Sequence, residues 1–337
     1  MLVLAGSLLR ISRMGTARFS LLRILADGKV HSGERIGRAL GLSRVEVGRA
    51  VKRLEALGLR VLRIPGRGYK LAGELDLIDA GLLPARLTEI SPCLRVEVLD
   101  ECSSTSTVLA QRAAEGAAHG SVLVCEHQSA GRGRRGKSWI SAVGDSLTFS
   151  ILWRFSRGAG TLAGFSLAVA VAVAKALERL GTDGVSVKWP NDLFCGGRKL
   201  GGILIETAGD TAGPSTAIVG VGINVRLSSP ARRRIGTQAT DVASHNRATP
   251  SRTVLLIDLL ASLVPALEQF SREGFAPFRQ EWIRRHAWQG RRVVVSQADE
   301  WVAEGKVVGI AEDGALVLAS VRGIERFHSG ELSLRPG

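Results

Sequence analysis

Gly131-Arg132-Gly133-Arg134-Arg135-Gly136-Lys137-Ser138 fits two phosphate-binding patterns at once, and the residues that follow it contradict both. The P-loop pattern G-x-x-x-x-G-K-[ST] and the dinucleotide pattern G-x-G-x-x-G each require a strand before the loop and a helix directly after it. The apolar run 121–126 predicts the strand. No helix follows, because Gly144 and Asp145 are turn residues and 146–153 has the pattern of a second strand. We therefore predict a cationic loop between two strands, in which arginine side chains face an anion.

Length and charge indicate a chain of several domains with a basic N-terminus. The chain has 337 residues, 45% of them hydrophobic, and a formal net charge of +14. This length is enough for two or three domains with a substantial core. Residues 1–73 contain 15 Lys and Arg against four Asp and Glu, a net of +11. A basic module on a nearly neutral body indicates nucleic-acid binding, and a merely solubilising basic surface is the alternative.

Cysteine usage and hydropathy favour a cytoplasmic protein without a membrane partner. The four cysteines are widely spaced and form no C-x-x-C pair, which predicts neither a disulfide framework nor a zinc site. The longest apolar stretch, 162–180, is interrupted by charged residues and is not expected to span a bilayer. Residues 1–16 lack the basic leading region of a signal peptide and are treated as a tail of unknown role, with Met1 or Met14 as the start of translation.

Residues 17–73 have the pattern of a winged helix-turn-helix domain. An apolar helical stretch over 19–26 is followed by a second helix from about Ser32. Ser43 and Glu46 form a capping-box pattern that begins a third helix. A short hairpin with a basic tip at 65–68 then supplies the wing. In such domains the third helix enters the major groove of DNA and the wing contacts the backbone, so the DNA-binding candidates are Arg44, Arg49, Lys52, Arg53 and Arg67.

The rest of the chain is predicted to contain a linker and two further domains. Residues 74–94 contain two prolines and look like a linker with one short helix. Residues 95–288 combine closely spaced strands with long apolar helices, which predicts an α+β domain with a mixed or antiparallel sheet. Residues 289–337 contain short strands divided by turns and predict a small β-barrel. The fold class is therefore α+β multidomain.

With the arginine loop placed between strands, the chain resembles the bifunctional biotin protein ligase and biotin operon repressor family. The resemblance extends over about residues 17–335, and it rests on several motifs that occur in the family's order. These are Glu126-His127-Gln128-Ser129-Ala130 leading into the arginine loop, Lys188-Trp189-Pro190-Asn191-Asp192, Arg198-Lys199-Leu200-Gly201-Gly202, and Gly220-Val221-Gly222-Ile223-Asn224. Residues 31–34 and 65–69 also resemble the repressor-type members.

The resemblance implies a class II synthetase-like central domain, an SH3-like C-terminal barrel and a two-step reaction. Biotin would be activated with ATP to biotinyl-5′-adenylate and then transferred to a lysine of a biotin carboxyl carrier protein. Mg²⁺ is expected with the ATP. The adenylate-bound protein would form a homodimer, bind operator DNA and repress biotin-synthesis genes.

The resemblance also implies residue roles. Arg132, Arg134, Lys199 and Asp192 would be catalytic, and Asp192 would also be the candidate for orienting Mg²⁺ or the acceptor amine. Biotin would be bound by Ser104, Thr105, Ser106, Gln128, Arg132, Gly133, Arg134, Lys199 and Gly202. ATP would be bound by Arg134, Trp139, Asn191, Lys199 and Asn224. Ser106 occupies the position where the family usually has Asn, which predicts somewhat altered biotin binding.

Simpler explanations exist for several of these residues. Ser104 and Thr105 could cap the helix that follows them. Trp139 could be a core residue, Asp192 a turn former and Lys199 a surface lysine. At the level of function, two alternatives are a biotin-responsive repressor without acceptor transfer and a related acyl-adenylating ligase of the lipoate type. Transfer to an acceptor and competition between biotin and lipoate distinguish these possibilities.

Overall fold

The computed structural model describes residues 17–73, 75–210, 212–236, 238–297, 300–328 and 332–336, so the tail predicted over 1–16 lies outside the described residues. The chain divides into two compact units. The N-terminal unit extends to Ile78 and also includes residues 142–144, and the larger unit contains the remainder.

The N-terminal unit has the predicted winged helix-turn-helix order. Its helices are α1 over 17–25, α2 over Gly33–Leu40 and α3 over Arg44–Ala56, and its hairpin pairs β1 (Val61–Ile64) with β2 (Gly68–Leu71). The capping box at α3 is confirmed, because the Ser43 side chain accepts from the Glu46 amide and the Glu46 carboxylate accepts from the Ser43 amide. This capping box determines the residue at which α3 begins.

The core of the N-terminal unit is closed by a distant segment of the chain. Fully buried side chains of α1, α2 and α3 form this core, among them Leu22, Ile36, Val47 and Leu54. Val143 belongs to the same cluster and is 3% exposed. Val143, five residues after the end of the arginine loop, is therefore part of this unit's core, and the sequence did not predict this.

The larger unit is built on a mixed sheet, as predicted, and this sheet has seven strands. The strand order is β3-β4-β5-β9-β8-β7-β6; β3 and β4 pair in parallel and every other neighbouring pair is antiparallel. The strands are β3 (Arg95–Cys102), β4 (Ser121–Gln128), β5 (Ser146–Phe155), β6 (Val185–Lys188), β7 (Asp192–Cys195), β8 (Arg198–Gly209) and β9 (Ser215–Asn224).

Helices pack on this sheet and on one another. They are α4 (Leu83–Ile90), α5 (Thr105–Ala114), α6 (Phe165–Arg179), α7 (Ser229–Ile235), α8 (Arg252–Glu273) and α9 (Ala276–Arg285). The segment predicted as a linker over 74–94 contains α4, which belongs to the larger unit. By length and composition α8 could cross a membrane, and half of its most apolar 18-residue stretch is buried within the fold. Because α8 packs against α6, α4 and β5, its apolar face is used as a core surface.

The C-terminal strands form a five-stranded antiparallel sheet of order β13-β12-β11-β10-β14. The strands are β10 (Arg292–Gln297), β11 (Glu300–Ile310), β12 (Leu316–Ser320), β13 (Gly323–Phe327) and β14 (Leu332–Pro336). The four cysteines of the chain are free thiols in the structure.

Candidate active site

A cavity of about 260 Å³ in the larger unit brings together nearly all of the predicted ligand-binding residues. It lies where β4, the arginine loop, the central strands and β14 meet. The predicted residues that line it are Ser104, Thr105, Ser106, Gln128, Arg132, Gly133, Arg134, Trp139, Asn191, Asp192, Lys199 and Gly202. Asn224 is not part of the lining; its side-chain amide is buried and donates to the Thr240 carbonyl at 3.0 Å.

One end of the cavity is a buried cluster of hydroxyls and one amide. The Thr105 amide donates to Gln128 Oε1 at 2.7 Å, and the Thr105 and Ser106 hydroxyls lie 2.7 and 3.0 Å from Ser150 Oγ. Ser104 is the N-cap residue of α5, but its side chain makes no capping hydrogen bond. These groups both donate and accept, so this end suits a small polar ring more than a purely apolar one.

Ser106, which departs from the family's usual Asn, has a defined hydrogen-bond partner. Its Oγ lies against the backbone of β9, where a Cβ built on Gly220 would be 2.5 Å from it. Its partner Ser150 on β5 also lines up with Gly220 in the β5–β9 register. The sequence did not single out Ser150, because a serine inside an apolar strand carries no signal of its own.

The arginine loop is a closed turn between β4 and β5, as predicted. Gly133 donates to the Lys137 carbonyl at 2.7 Å and Trp139 donates to the Gly131 carbonyl at 2.8 Å. Between these bonds a short 3-10 turn covers Arg134–Gly136, in which Arg135 has a φ of 59°. No helix opens after Ser138, so the match to the P-loop pattern is coincidental.

The two predicted catalytic arginines have different surroundings. Arg132 forms an ion pair with Glu206 at 2.8 Å and donates to the Thr107 hydroxyl at 3.1 Å. Arg134 lies deeper and donates to Asn191 Oδ1 at 3.3 Å. Burial lowers the pKa of the Arg134 guanidinium, while nearby Asp192 favours its charged form. An arginine keeps its charge under such shifts, so Arg134 is a partly desolvated cation facing the cavity.

Lys199 and Asp192 lie opposite the arginines on neighbouring strands. Lys199 Nζ is 2.6 Å from Asp192 Oδ1, and the β7–β8 register places Asp192 beside Gly202. A Cβ at Gly202 would lie 3.6 Å from both Lys199 Nζ and Asp192 Oδ1, which is an ordinary contact distance, so the ion pair lies directly beside this glycine on the cavity wall. Asp192 is therefore in an ion pair and does more than form a turn.

Several further cations of the cavity were not predicted from the sequence. Lys188, Lys137 and Arg335 line it together with the predicted residues. The Lys188 ammonium lies over the Phe194 ring at 5.4 Å and the Trp288 ring at 4.9 Å from their centroids. Burial lowers the pKa of Lys188, and the surrounding cations act in the same direction. The cavity therefore concentrates positive charge for a polyanionic ligand.

Trp139 forms part of the cavity wall and is not a core residue. A Cβ on Gly222 would lie 2.6 Å from Trp139 Cε2, so the indole lies directly on the β9 backbone. Trp139 is half-buried and presents an aromatic surface at the cationic end of the cavity. Such a surface suits the face of a heterocyclic base.

A metal site made only of protein side chains is absent from the described residues. Within the described ranges no three His, Cys, Asp or Glu side chains come together as a possible metal site. Asp192 is the only acidic side chain among the described residues that line the cavity. This arrangement fits Mg²⁺, which is commonly bound by one or two carboxylates together with substrate phosphates.

The predicted DNA-binding residues are exposed on the N-terminal unit. Arg44, Arg49, Lys52 and Arg53 lie on α3, and Arg67 lies at the tip of the hairpin. The buried side of α3 carries Val47, Ala50, Val51 and Leu54. The basic side chains are thus on the side of the helix that does not face the core.

Three family models match successive parts of the chain. An HTH domain matches residues 17–70, the biotin/lipoate A/B protein ligase family matches 98–224, and the biotin protein ligase C-terminal domain matches 290–335. The fold and the site thus define a protein ligase of the biotin/lipoate class that carries a helix-turn-helix domain.

Full-length relatives and solved structures narrow this class. The bifunctional ligase/repressor BirA of Salmonella typhimurium is 35% identical over 320 residues, which cover 95% of this chain and 98% of the relative, and BirA of Escherichia coli matches to the same extent. A solved structure of the Aquifex aeolicus biotin protein ligase in complex with biotin and ATP has a TM-score of 0.62 at 27% identity, covering 72% of this chain and 99% of that chain. The chain belongs to the bifunctional ligase/repressor family of biotin protein ligases.

Proposed function

We propose that this chain activates biotin with ATP and transfers it to a lysine of a biotin carboxyl carrier protein. The observation that carries the proposal is the polarity of the cavity, with buried hydroxyls and an amide at one end and a group of cations at the other. The hydroxyl end suits the ureido ring of biotin, and the cationic end suits its carboxylate beside the phosphates of ATP.

The first step needs no nucleophile from the protein. A carboxylate oxygen of biotin attacks the α-phosphorus of ATP, and the bond from that phosphorus to the pyrophosphate breaks. Two anions must approach each other, so the rate depends on cations already in place. Lys199 and Arg134 have this role, and the loop around Arg134 shields the resulting mixed anhydride from water.

The second step transfers the acyl group to the acceptor. The amine of an acceptor lysine attacks the acyl carbon and AMP leaves. Asp192 is the only acidic group among the described cavity-lining residues, so it is suited to orient the ammonium or accept its proton as the bond forms. When Mg²⁺ is bound, Asp192 would hold it together with the phosphates, and the ion would neutralise charge on them.

A second activity, transcriptional repression, is favoured by the N-terminal unit. Its winged helix-turn-helix fold and exposed basic α3 suit operator DNA. We propose that the adenylate-bound protein dimerises, that the dimer binds two half-sites, and that both activities take place in the cytoplasm.

The acceptor reaction tests the ligase. Purified full-length protein is supplied with biotin, MgATP and an isolated carrier domain, and biotin on the acceptor lysine is measured by mass spectrometry. Biotin-dependent exchange of pyrophosphate into ATP, without labelling of the acceptor, would favour a repressor without transfer. Stronger exchange with lipoate than with biotin would favour the lipoate-type alternative.

Substitution of two glycines on β9 separates the two ends of the cavity. Gly220→Ala places a methyl group against Ser106 Oγ and is expected to raise KM for biotin, whereas Gly222→Ala displaces the Trp139 ring and is expected to raise KM for ATP. Each KM should rise roughly tenfold, because one misplaced methyl group in a fitted pocket typically changes affinity by about this factor. Steady-state pyrophosphate release at varied biotin and ATP checks this.

Gly48→Ala in the N-terminal unit is the control for these variants, because a Cβ there meets nothing within 4 Å. It should leave both KM values unchanged. If Gly220→Ala and Gly222→Ala raise the same KM, the assignment of the two ends is wrong.

A further inference from the structure

The outer face of α3 carries an unusual combination of residues. Val45, Gly48, Arg49 and Lys52 are spaced i, i+3, i+4 and i+7, so they form one stripe along the helix. The core-facing stripe consists of other residues, Val47, Ala50, Val51 and Leu54, which are buried. The first stripe is therefore directed away from the core of its own unit.

Val45 is an apolar side chain at the exposed start of the helix. It is 63% exposed in the second position after the Ser43 cap and lies beside Arg44. A single exposed valine is ordinary on a protein surface. This one stands at the N-terminal end of a recognition helix, where helix-turn-helix proteins contact the edges of bases.

Gly48 supplies an independent observation. Glycine is the weakest helix former apart from proline, so its place inside α3 needs a reason. Its backbone is helical and a Cβ there would meet nothing within 4 Å, so neither conformation nor internal packing requires glycine. Glycine at such a position lets another molecule approach the helix backbone closely.

The charge around this stripe indicates what that molecule is. Arg49 and Lys52 are on the stripe, and Arg44 is exposed beside it. Residues 1–73 contain 15 Lys and Arg against only four Asp and Glu. A basic helix that carries one exposed apolar side chain and one glycine on the same face matches the major groove of DNA. There phosphates flank the base edges, and thymine presents a methyl group.

We propose that this stripe reads a thymine in the operator: the Val45 side chain packs on the thymine C5-methyl, and Gly48 allows α3 to enter the groove deeply enough for that contact. Arg49 and Lys52 hold the helix in register through hydrogen bonds to the DNA. The inference rests on the proposed operator binding and adds to it the two residues that determine base preference.

Removal of the thymine methyl tests Val45. Full-length protein with biotin and MgATP selects its preferred duplex from a random library, and each thymine in that duplex is then replaced by uracil. One replacement should weaken wild-type binding by about fourfold, the value of one buried methyl group. Val45→Ala should bind the thymine duplex about fourfold more weakly and show no further loss with uracil, while Val45→Thr, which keeps a methyl group, should retain part of the sensitivity.

Gly48→Ala is expected to have opposite effects on the stability of α3 and on the affinity for DNA. The variant should raise the thermal stability of α3, because alanine is the better helix former, and yet weaken binding to the selected duplex by at least roughly tenfold, as a lost set of base contacts does. Arg67→Ala at the wing is the control and should weaken selected and random duplexes equally.

The outcomes distinguish this inference from the function on which it rests. If the wild-type protein binds no duplex more tightly than bulk DNA, the proposed repressor activity fails. If it does select a duplex, but Val45→Ala keeps the uracil sensitivity or Gly48→Ala binds as the wild type does, the assignment of the stripe is overturned while operator binding stands. A change in dimerisation by Gly48→Ala with unchanged half-site affinity would also overturn it, since the stripe would then be a protein contact.

Discussion

Lys199→Ala is expected to reduce the rate of adenylate formation by about 10²- to 10³-fold, as the loss of one preorganised charge-stabilising group does in other enzymes. Lys199 faces the cavity from β8 in an ion pair with Asp192 at 2.6 Å, opposite the loop that carries Arg134. In the reaction proposed above, the negative charge that develops on the phosphate would lie between these groups. Lys188, another cation of the cavity, lies over the Trp288 ring at 4.9 Å from its centroid, and we do not expect it to replace Lys199.

Biotin-dependent exchange of pyrophosphate into ATP measures this step without the acceptor. Lys306→Ala is the matched control, because Lys306 is an exposed lysine on β11. Lys199→Arg keeps the charge with a different shape and should restore part of the rate. Biotin affinity by calorimetry should fall far less than the exchange rate. Equal losses in both would indicate that Lys199 acts in binding the ground state rather than in the reaction.

Local signals in the sequence were sufficient to place the arginine loop and the winged domain. Gly144 and Asp145 exclude a helix after Ser138, and the structure has β5 there. Ser43 and Glu46 determine where α3 begins, and both halves of their capping box are formed. Each of these features depends on residues within a few positions of one another, which is the range over which sequence patterns are informative.

Features that depend on distant parts of the chain could not be predicted in this way. Val143 completes the core of the N-terminal unit although 71 residues or more separate it from the other buried members on α1 to β2, and apolar character alone does not say which core a valine joins. Arg335 reaches the cavity only because β14 pairs with β10 at the other end of the C-terminal segment. Ser150 is identified only once the β5–β9 register is known.

Glu126 and Arg252 form an ion pair whose disruption is expected to have the largest effect on stability. Both side chains are 0% exposed, and Arg252 Nη1 lies 2.6 Å from Glu126 Oε2. The pair connects the first turn of α8 to the end of β4, two residues before Gln128. Arg252→Met leaves a buried carboxylate without its cation, which costs about 3–5 kcal/mol when one partner of a buried pair is removed.

Urea unfolding followed by tryptophan fluorescence measures this cost in the larger unit alone. The six tryptophans of the chain lie at 139, 153, 189, 282, 288 and 301, and none of them belongs to the N-terminal unit. The unfolding midpoint that these tryptophans report should therefore fall in Arg252→Met. Glu89→Gln, at an exposed ion pair with Arg86, is the control and should change stability by less than about 1 kcal/mol.

The double variant Glu126→Leu with Arg252→Met shows whether the pair stabilises the fold or positions the site. Replacing both members of a buried pair by apolar residues is often neutral or stabilising, so the double variant should recover most of the stability that Arg252→Met loses. Gln128 lies on the same strand, and its Oε1 orients the Thr105 amide at the hydroxyl end of the cavity. If the double variant is stable but has a raised KM for biotin, the pair positions β4 for binding. If its KM is that of the wild type, the pair serves folding only, and the binding end of β4 is held by the Gln128–Thr105 bond itself.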